Sequence, residues 1–159
     1  DVEGGCGGHP VRAVVQRVCW ASVEVDEACV GEIERGLVIL LGAEKEDEEK
    51  DIGYMLDKII NLRVFEDSSG KMNHSLLDIG GDLLVVSQFT LLGDCRRGRR
   101  PSFTHAMEPV EARRLYNAFV EQAKERVSHV ATGQFQKQMQ VRLENDGPVT
   151  LLVDSKRAF

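Results

Sequence analysis

Hydroxyl and amide side chains directly follow an apolar run in the middle of the sequence. The run is LLVV, and the residues after it are Ser87, Gln88, Phe89 and Thr90. A buried strand that ends in polar residues brings them to the edge of a sheet, where a rigid scaffold usually presents binding groups. Ser87, Gln88 and Thr90 supply hydroxyls and an amide, and the backbone N–H groups are potential oxyanion donors. The alternative is an ordinary strand end, which the tetrapeptide alone favours.

A hydroxyl nucleophile in this segment lacks an evident base. Such a nucleophile needs a base within hydrogen-bond reach. No histidine lies near SQFT in the sequence, and no GxSxG elbow is present. Groups that are distant in sequence could still meet in the fold, but no Ser-His-Asp pattern follows from the sequence.

The segment NDGPVT, residues 145–150, lies between the apolar runs QVRL and LLVDS. Pro148 cannot donate a hydrogen bond to a strand ladder. Asn, Asp and Gly tolerate the positive φ that hairpin turns need, so a plain hairpin turn is the first interpretation. The alternative is a chemical role for the backbone at Gly147 and Pro148.

Two further segments have the composition of a nucleic-acid site. Arg96, Arg97, Arg99 and Arg100 place four guanidinium groups in RRGRRP, which suits the phosphates of an RNA backbone. A solvated basic loop is the equal alternative. The segment GKMN, with Met72, could line an apolar slot for a nucleobase, although a loop packed on the core is the better interpretation of that segment alone.

Composition excludes several classes of protein. The net charge of −6 argues against bulk coating of nucleic acid, although a local basic patch remains possible because salt screens exposed charge beyond roughly 10 Å. No apolar run approaches the ~20 residues of a membrane helix. The four cysteines form no CxxC pair and the histidines stand alone, so we expect neither a metal nor a cofactor. Reduced cysteines and the lack of a visible signal peptide favour the cytoplasm.

The elements that must position these residues form one α+β domain, predicted over residues 11–159. Residues 1–10 are glycine-rich, and we expect a disordered extension or an expression remnant there. We predict strands over 11–18, 22–26, 28–33, 36–43, 63–67, 81–89, 138–143 and 149–154, and two main helices over 47–62 and 109–127. Asp47 is the expected cap of the first helix. The order is not a regular βαβ alternation, so mainly antiparallel, barrel-like sheets are favoured over a dinucleotide-binding fold.

Taken together, these segments resemble one family, the D-aminoacyl-tRNA deacylases of the D-tyrosyl-tRNA deacylase type. The matching stretches are RAVVQRV, NLRVFED, GKMN, LLVVSQFTL, GRRPSF, MQV and NDGPVTLL. They occur in the family's order and cover nearly all of residues 12–155. The pairing of SQFT with NxGPxT is specific to this family. The chain departs from its pattern at His74, at Cys95 and in the N-terminal extension.

The resemblance implies an editing hydrolase. Such enzymes cleave the ester that joins a D-amino acid, or glycine mischarged on tRNA-Ala, to the terminal adenosine of tRNA. They work as homodimers without a metal, and neither DNA nor a membrane is an expected partner. The Gly147–Pro148 bond would be cis, and the loop of one subunit would enter the site of the other. A rigid backbone wall there would exclude an L side chain by collision.

The resemblance also implies roles for individual residues. The SQFT residues form the catalytic site, in which the N–H groups of Phe89 and Thr90 hold the ester carbonyl. Arg17 anchors the partner's loop at Gly147 and Pro148, and the expected substrate-binding residues are Arg17, Met72, Met139, Asn145, Gly147, Pro148 and Thr150. Met139 packs near that loop, and Met72 lies near the adenine.

Three hypotheses about function remain open on the sequence. The leading one is an editing esterase in which Thr90 positions the substrate and the 2′-hydroxyl of the tRNA assists hydrolysis. The second is a non-catalytic RNA-binding module that uses the arginine loop. The third is an esterase of free D-amino acid derivatives.

Overall fold

The computed structural model describes residues 11–45 and 48–157. The predicted N-terminal extension and the predicted cap Asp47 lie outside these residues. The strands are β1 Arg12–Val25, β2 Ala28–Ile33, β3 Gly36–Gly42, β4 Phe65–Glu66, β5 Met72–His74, β6 Asp82–Ser87, β7 Val130–Thr132 and β8 Gln140–Asp154. The helices are α1 Glu49–Asn61, α2 Leu76–Ile79 and α3 Pro109–Lys124, with a 3-10 helix at Phe89–Leu92.

The long strand β1 is the spine of the main sheet. It pairs antiparallel with β3 through residues 12–18, with β2 through residues 21–25, and with β8 along its other edge. The prediction of two separate strands, over 11–18 and 22–26, was wrong. The chain runs on as one strand because the connecting segment VCWAS contains no glycine or proline that would end it. The side chains change face near the middle of β1: Ala13 and Val15 join the core under the helices, and Val23 joins a second core.

The main sheet curls until its two ends meet. Its order is β2-β1-β3-β6-β7, and β8 pairs with β1. The ring of His129 bonds the carbonyl of Glu32 at 3.0 Å, which joins the start of β7 to the end of β2. This barrel-like α+β architecture confirms the predicted fold class. The pairs β3–β6 and β6–β7 are parallel, which the sequence did not predict, and each needs a long crossover through a helix.

The two main helices cover one face of the sheet. The predicted stripe of α1 is buried, and it comprises Ile52, Met55, Leu56, Ile59 and Ile60. Glu48 precedes the helix as its cap, and its backbone N–H donates to the Asp51 carboxylate at 2.9 Å. Pro109 begins α3, as its position in the sequence predicted, because a first-turn residue needs no N–H partner. No helix in residues 11–45 and 48–157 has the length and apolar character needed to cross a membrane.

The segment NDGPVT is not a hairpin turn. The residues on both sides of it pair with β1, from Asn145 opposite Val18 to Thr150 opposite Gln16. One residue of β1, Arg17, therefore faces the four residues 146–149, which leave the ladder as a loop. We call residues 146–149 the Gly-Pro loop. Its turn composition was a correct signal that regular strand pairing is interrupted, but the chain keeps its direction and both flanks pair with β1.

The closure of the sheet depends on Gly31. A Cβ atom at this position would lie 2.5 Å from the carbonyl oxygen of Thr132 on β7. We expect Gly31→Ala to lower the free energy of unfolding by about 1–3 kcal/mol, because the two strands would have to separate. Urea unfolding measures this change.

Gly53→Ala is the matched control for Gly31→Ala. In α1, the nearest atom to an added Cβ at Gly53 is Gln122 Oε1, at an ordinary 3.8 Å. Alanine is the better helix former by about 1 kcal/mol, so this variant should be as stable as the original chain or more stable. Equal unfolding midpoints for the two variants would contradict the close approach of β2 and β7.

Candidate active site

A cavity of about 650 Å³ opens where the parallel strands β3 and β6 end. Leu41 and Gly42 come from the end of β3, and Ser87 is the last residue of β6. The first half of α3 forms one wall, and residues 135–139 form another. The volume is typical of small-molecule sites, and most of the lining is apolar. The carboxyl ends of adjacent parallel strands are a usual place for a binding site.

The predicted catalytic segment lies at the edge of this cavity. Ser87, Gln88 and Phe89 line it, and the backbone N–H of Gln88 donates to the carbonyl of Leu41 at 2.8 Å. Gly42 permits this approach, because a Cβ there would lie 2.8 Å from the carbonyl oxygen of Gln88. Thr90 is exposed beside the cavity, and its hydroxyl accepts a hydrogen bond from the side-chain amide of Gln88.

The backbone of SQFT presents two N–H groups that its own helix leaves free. The first bond of the 3-10 helix runs from the N–H of Leu91 to the carbonyl of Gln88 at 3.2 Å. The N–H groups of Phe89 and Thr90 precede this bond, so the helix offers them no acceptor. Two adjacent N–H groups are suited to stabilising an oxyanion.

The cavity contains no proton acceptor of the usual kind. No lining residue within the described ranges carries a carboxylate, an imidazole or a thiol. Tyr116 is the one lining phenol among them, and its hydroxyl donates to the carbonyl of Val85 at 2.8 Å. Burial raises the pKa of Tyr116 to about 12, so the hydroxyl stays protonated at neutral pH and fastens α3 to β6. No group of three potential metal ligands occurs in residues 11–45 and 48–157.

The side chain of Asn145 closes the base of the Gly-Pro loop. Its Oδ1 accepts a hydrogen bond from the N–H of Val149 at 2.7 Å, and its Nδ2 donates to the carbonyl of Val149 at 3.0 Å. The same Nδ2 lies 3.2 Å from the hydroxyl of Thr150, which also accepts from Gln16 at 3.3 Å. The Asn145 side chain thus takes the place of a neighbouring strand as the hydrogen-bond partner of the Val149 main chain. The peptide bond between Gly147 and Pro148 is cis.

Arg17 holds the other side of the Gly-Pro loop. The Arg17 side chain is buried, its Nε donates to the carbonyl of Asp146 at 2.9 Å, and its Nη1 donates to the carbonyl of Val64 at 2.7 Å. Gly147 has φ +139°, and a Cβ there would lie 2.8 Å from a methyl of Val149. Only glycine suits this conformation and this space. Within one chain Arg17 therefore supports its own loop, and its expected contact with a partner's loop stays a prediction.

The predicted site residues fall into two groups within one chain. Ser87, Gln88, Phe89 and Met139 meet at the cavity, with Thr90 beside it. Arg17, Asn145, Gly147, Pro148 and Thr150 form the Gly-Pro loop and its supports, and none of them lines the cavity. Gly147 and Pro148 are exposed.

The GKMN segment belongs to neither group. Met72 lies on the small β4–β5 hairpin, half exposed, and does not line the cavity. The expected proximity of Met72 to an adenine, like that of Met139 to the Gly-Pro loop, stays a prediction.

Comparisons with known proteins decide the family. The family model described as D-Tyr-tRNA(Tyr) deacylase matches residues 14–154. The chain belongs to this family. Proteins named D-aminoacyl-tRNA deacylase from Clostridium botulinum and Kosmotoga olearia are each 60% identical over 149 residues, which are 94% of this chain and 100% of theirs. The family and the enzyme class that the sequence predicted are confirmed, and the non-catalytic alternative is not supported.

Two solved structures have the same fold. The c-Myc DNA Unwinding Element Binding Protein is similar with a TM-score of 0.85 and 44% identity, over 89% of this chain and 97% of that one. A structure described as a probable eukaryotic D-amino acid tRNA deacylase has a TM-score of 0.80 over 91% of this chain and 99% of that one. Its 18% identity supports the fold alone.

The arginine loop of this deacylase has three unpaired cations rather than four. Arg96 forms a bidentate ion pair with the Asp94 carboxylate: its Nε donates to Oδ1 at 2.9 Å and its Nη2 donates to Oδ2 at 2.8 Å. These hydrogen bonds hold the pKa of Asp94 well below its usual range. Arg97, Arg99 and Arg100 are exposed, and none pairs with a carboxylate in the described part of the chain.

Sequence reasoning missed part of the deacylase site. Ala112, Tyr116 and Phe135 form walls of the cavity, and Asn145 has a supporting role that the motif did not specify. The amphipathic start of α3 was a usable signal for the first two residues. Phe135 lies in the polar segment GQFQKQ, which has no periodicity that would reveal it.

Asn145 should be the main support of the Gly-Pro loop in this deacylase. We expect Asn145→Ala to lower the free energy of unfolding by about 1–3 kcal/mol, because both main-chain groups of Val149 lose their partner. Hydrogen exchange of the Val149 amide should become faster. Gln16→Ala is the control, since it removes only an exposed bond to Thr150 and should change stability by less than about 0.5 kcal/mol. Unchanged protection of Val149 in Asn145→Ala would show that the backbone holds the loop unaided.

Proposed function

We propose that this deacylase hydrolyses the ester between a D-amino acid and the terminal adenosine of tRNA. Glycyl esters, including glycine mischarged on tRNA-Ala, are substrates as well, and L-aminoacyl-tRNA is rejected. The observation that carries this proposal is the cavity of about 650 Å³, without a lining carboxylate, imidazole or thiol in the described ranges, beside the backbone N–H groups of Phe89 and Thr90. The activity named in the relatives at 60% identity supports it.

The terminal adenosine occupies the cavity. The rings of Tyr116 and Phe135 lie with their centroids 6.0 Å apart and form an aromatic wall for the base. Stacking of a base on an aromatic side chain contributes about 1–3 kcal/mol in single-strand binding proteins. An adenosine bound in this way puts its ester-bearing ribose toward SQFT, at the end of β6.

The chemistry at SQFT is a hydrolysis in which the backbone stabilises developing charge. Water adds to the ester carbon, and the carbonyl oxygen becomes an oxyanion facing the N–H groups of Phe89 and Thr90. The bond from carbon to the ribose oxygen then breaks, the ribose oxygen takes up one proton of the added water, and the amino acid leaves as its carboxylate while the second proton passes to solvent. Because no lining side chain is a usual base, the 2′-hydroxyl beside the ester assists the water. Thr90 positions the substrate through its hydroxyl.

The Gly-Pro loop provides the chiral filter in the cavity of a second copy. In its own chain Gly147 and Pro148 are exposed and lie outside the cavity, while Arg17 and Asn145 hold the loop in place. In a homodimer the carbonyls of Gly147 and Pro148 face the α-amino group of the substrate bound by the partner. A backbone wall on one side of the α-carbon collides with an L side chain, and glycine has no side chain to collide.

Exposed cations bind the tRNA backbone outside the cavity. Arg97, Arg99 and Arg100 lack carboxylate partners in the described ranges and suit phosphate groups. Arg96 belongs to the same loop, although its guanidinium is already hydrogen-bonded to the Asp94 carboxylate. Neither DNA nor a membrane is a partner in this proposal, and the cytoplasm is the compartment in which the substrate occurs.

Chirality of the substrate tests the proposal directly. The unmodified chain should release D-tyrosine from D-tyrosyl-tRNA and leave L-tyrosyl-tRNA intact, and free D-tyrosine esters should react far more slowly. Gly147→Ala should lower kcat/KM for the D substrate by at least about 100-fold, because an atom forced into the loop misplaces the wall.

Gly80→Ala is the matched control for Gly147→Ala. Gly80 also has a positive φ, of +61°, but it has open space around it and lies at the end of α2. Its kinetics should stay close to those of the unmodified chain. Equal hydrolysis of L- and D-tyrosyl-tRNA would refute the proposed filter.

The role of Thr90 can be separated from that of the 2′-hydroxyl. We expect Thr90→Val, which keeps the shape and removes the hydroxyl, to lower kcat by no more than about tenfold, and Thr90→Ser to retain activity. An aminoacyl-tRNA that ends in 2′-deoxyadenosine should be hydrolysed about 10²–10⁴-fold more slowly, because this is the usual contribution of assisted proton transfer. An acyl-enzyme trapped at Thr90, together with an inactive Thr90→Val, would instead identify Thr90 as the nucleophile.

A further inference from the structure

One cation lies on the wall of an otherwise neutral cavity. Lys137 is the single charged side chain among the described residues that line it. It is exposed, so it stands at the rim rather than inside. The interior therefore suits an uncharged base and ribose, and the rim has one positive charge without a neighbouring negative charge from the lining.

A tight turn fixes Lys137 beside the aromatic wall. The N–H of Lys137 donates to the carbonyl of Gln134 at 3.3 Å, which closes a turn over residues 134–137. Gln136 occupies its third position with φ +60°, a region that usually requires glycine or asparagine. Unfavourable backbone conformations persist where the surroundings enforce them, and they cluster at binding sites. This turn presents Phe135 to the cavity and Lys137 to its rim.

A second cation stands over the same aromatic ring. The guanidinium carbon of Arg113 lies 5.9 Å from the centroid of the Phe135 ring. Arg113 is exposed and follows Ala112, which also lines the cavity. An arginine stacked on a ring keeps the N–H groups at its edge free to donate to another ligand.

Neither cation is neutralised by the protein. In the described part of the chain, no carboxylate lies within 4.0 Å of the Arg113 or Lys137 nitrogens. The adjacent Arg114, by contrast, pairs with Glu49 at 3.3 Å and with Glu111 at 3.1 Å. The chain has 26 acidic and 20 basic residues, so carboxylates are plentiful. The guanidinium of Arg113 and the ammonium of Lys137, both beside Phe135, are therefore available to an anion.

We infer that Arg113 and Lys137 bind phosphate groups of the single-stranded 3′ end of the tRNA. This inference rests on the proposed function. An adenosine in the cavity carries a phosphodiester on its 5′ oxygen, and a phosphate is too costly to bury in a neutral pocket. The phosphate therefore leaves the cavity at the rim. There the edge of the Arg113 guanidinium and the Lys137 ammonium meet it by charge-assisted hydrogen bonds.

The test compares substrates with and without these phosphates. D-tyrosyl-tRNA carries them, whereas adenosine esterified with D-tyrosine at its 3′ oxygen has none. We expect Arg113→Gln and Lys137→Gln each to raise KM for D-tyrosyl-tRNA about tenfold with little change in kcat, in keeping with the loss of a charged hydrogen bond. Hydrolysis of the adenosine ester should be unchanged.

Salt dependence provides a second measurement on the tRNA substrate itself. A plot of log kcat/KM against log salt concentration should become shallower by about 0.7 for each single-strand phosphate that a variant no longer binds. Arg114→Gln is the matched control, because Arg114 adjoins Arg113 and is already paired with carboxylates. It should leave both KM and the slope unchanged.

The outcomes separate this inference from the proposed function. If the unmodified chain cleaves neither substrate, the proposed function fails and the inference fails with it. If it cleaves both and Arg113→Gln impairs both equally, Arg113 only supports the aromatic wall and the phosphate contact is refuted. An unchanged salt slope in both Gln variants would also overturn the inference.

Discussion

The pairing of Asn145 with the main chain of Val149 is the contact on which the proposed filter depends. A strand that leaves its ladder for four residues gives up backbone hydrogen bonds, and such losses are costly when the groups are shielded from water. Asn145 compensates because its amide offers a donor and an acceptor in the arrangement of a peptide group. Arg17 satisfies the carbonyl of Asp146 from the opposite strand. The loop can therefore project from the sheet without becoming loose.

The cavity imposes a complementary constraint on the chemistry. Its described lining residues are neutral apart from a single rim cation, and burial raises the pKa of Tyr116 further above neutral pH. Because none of the described lining residues is a usual base, the proposed hydrolysis relies on fixed dipoles and on groups of the substrate. Fixed backbone N–H groups at the end of a buried strand are suited to this task, since β3 and β6 hold them in place and they need no reorganisation during the reaction.

Much of the fold was predictable from local patterns. The helical stripe from Ile52 to Ile60 and the position of Pro109 follow from periodicity and from the missing N–H of proline, and the structure agrees with both. The SQFT segment was also visible, because an apolar run that ends in hydroxyl and amide residues is typical of a buried strand that reaches a sheet edge. These features depend on neighbours in sequence, which is why the sequence alone reveals them.

Most of the errors concern partners that are distant in sequence, apart from the division of β1 into two strands. Asn-Asp-Gly indicates a backbone reversal, but only the pairing of both flanks with β1 distinguishes a projecting loop from a hairpin. The parallel pairs β3–β6 and β6–β7 depend on crossovers through helices, and the role of Phe135 depends on the fold around α3. A period of two or of 3.6 specifies a face of an element, and it does not specify what that face will meet.

The distribution of unpaired charge explains how an acidic chain can serve a polyanion. A net charge of −6 describes the whole chain, yet exposed charges act over roughly 8–10 Å in physiological salt. What matters locally is which cations the protein leaves without a carboxylate. Arg96 forms an ion pair with Asp94, and Arg114 forms ion pairs with Glu49 and Glu111. These two arginines therefore add little to the local positive potential. The arginine loop and the cavity rim are two places where described cations lack a carboxylate partner, so a phosphate backbone would meet attraction there.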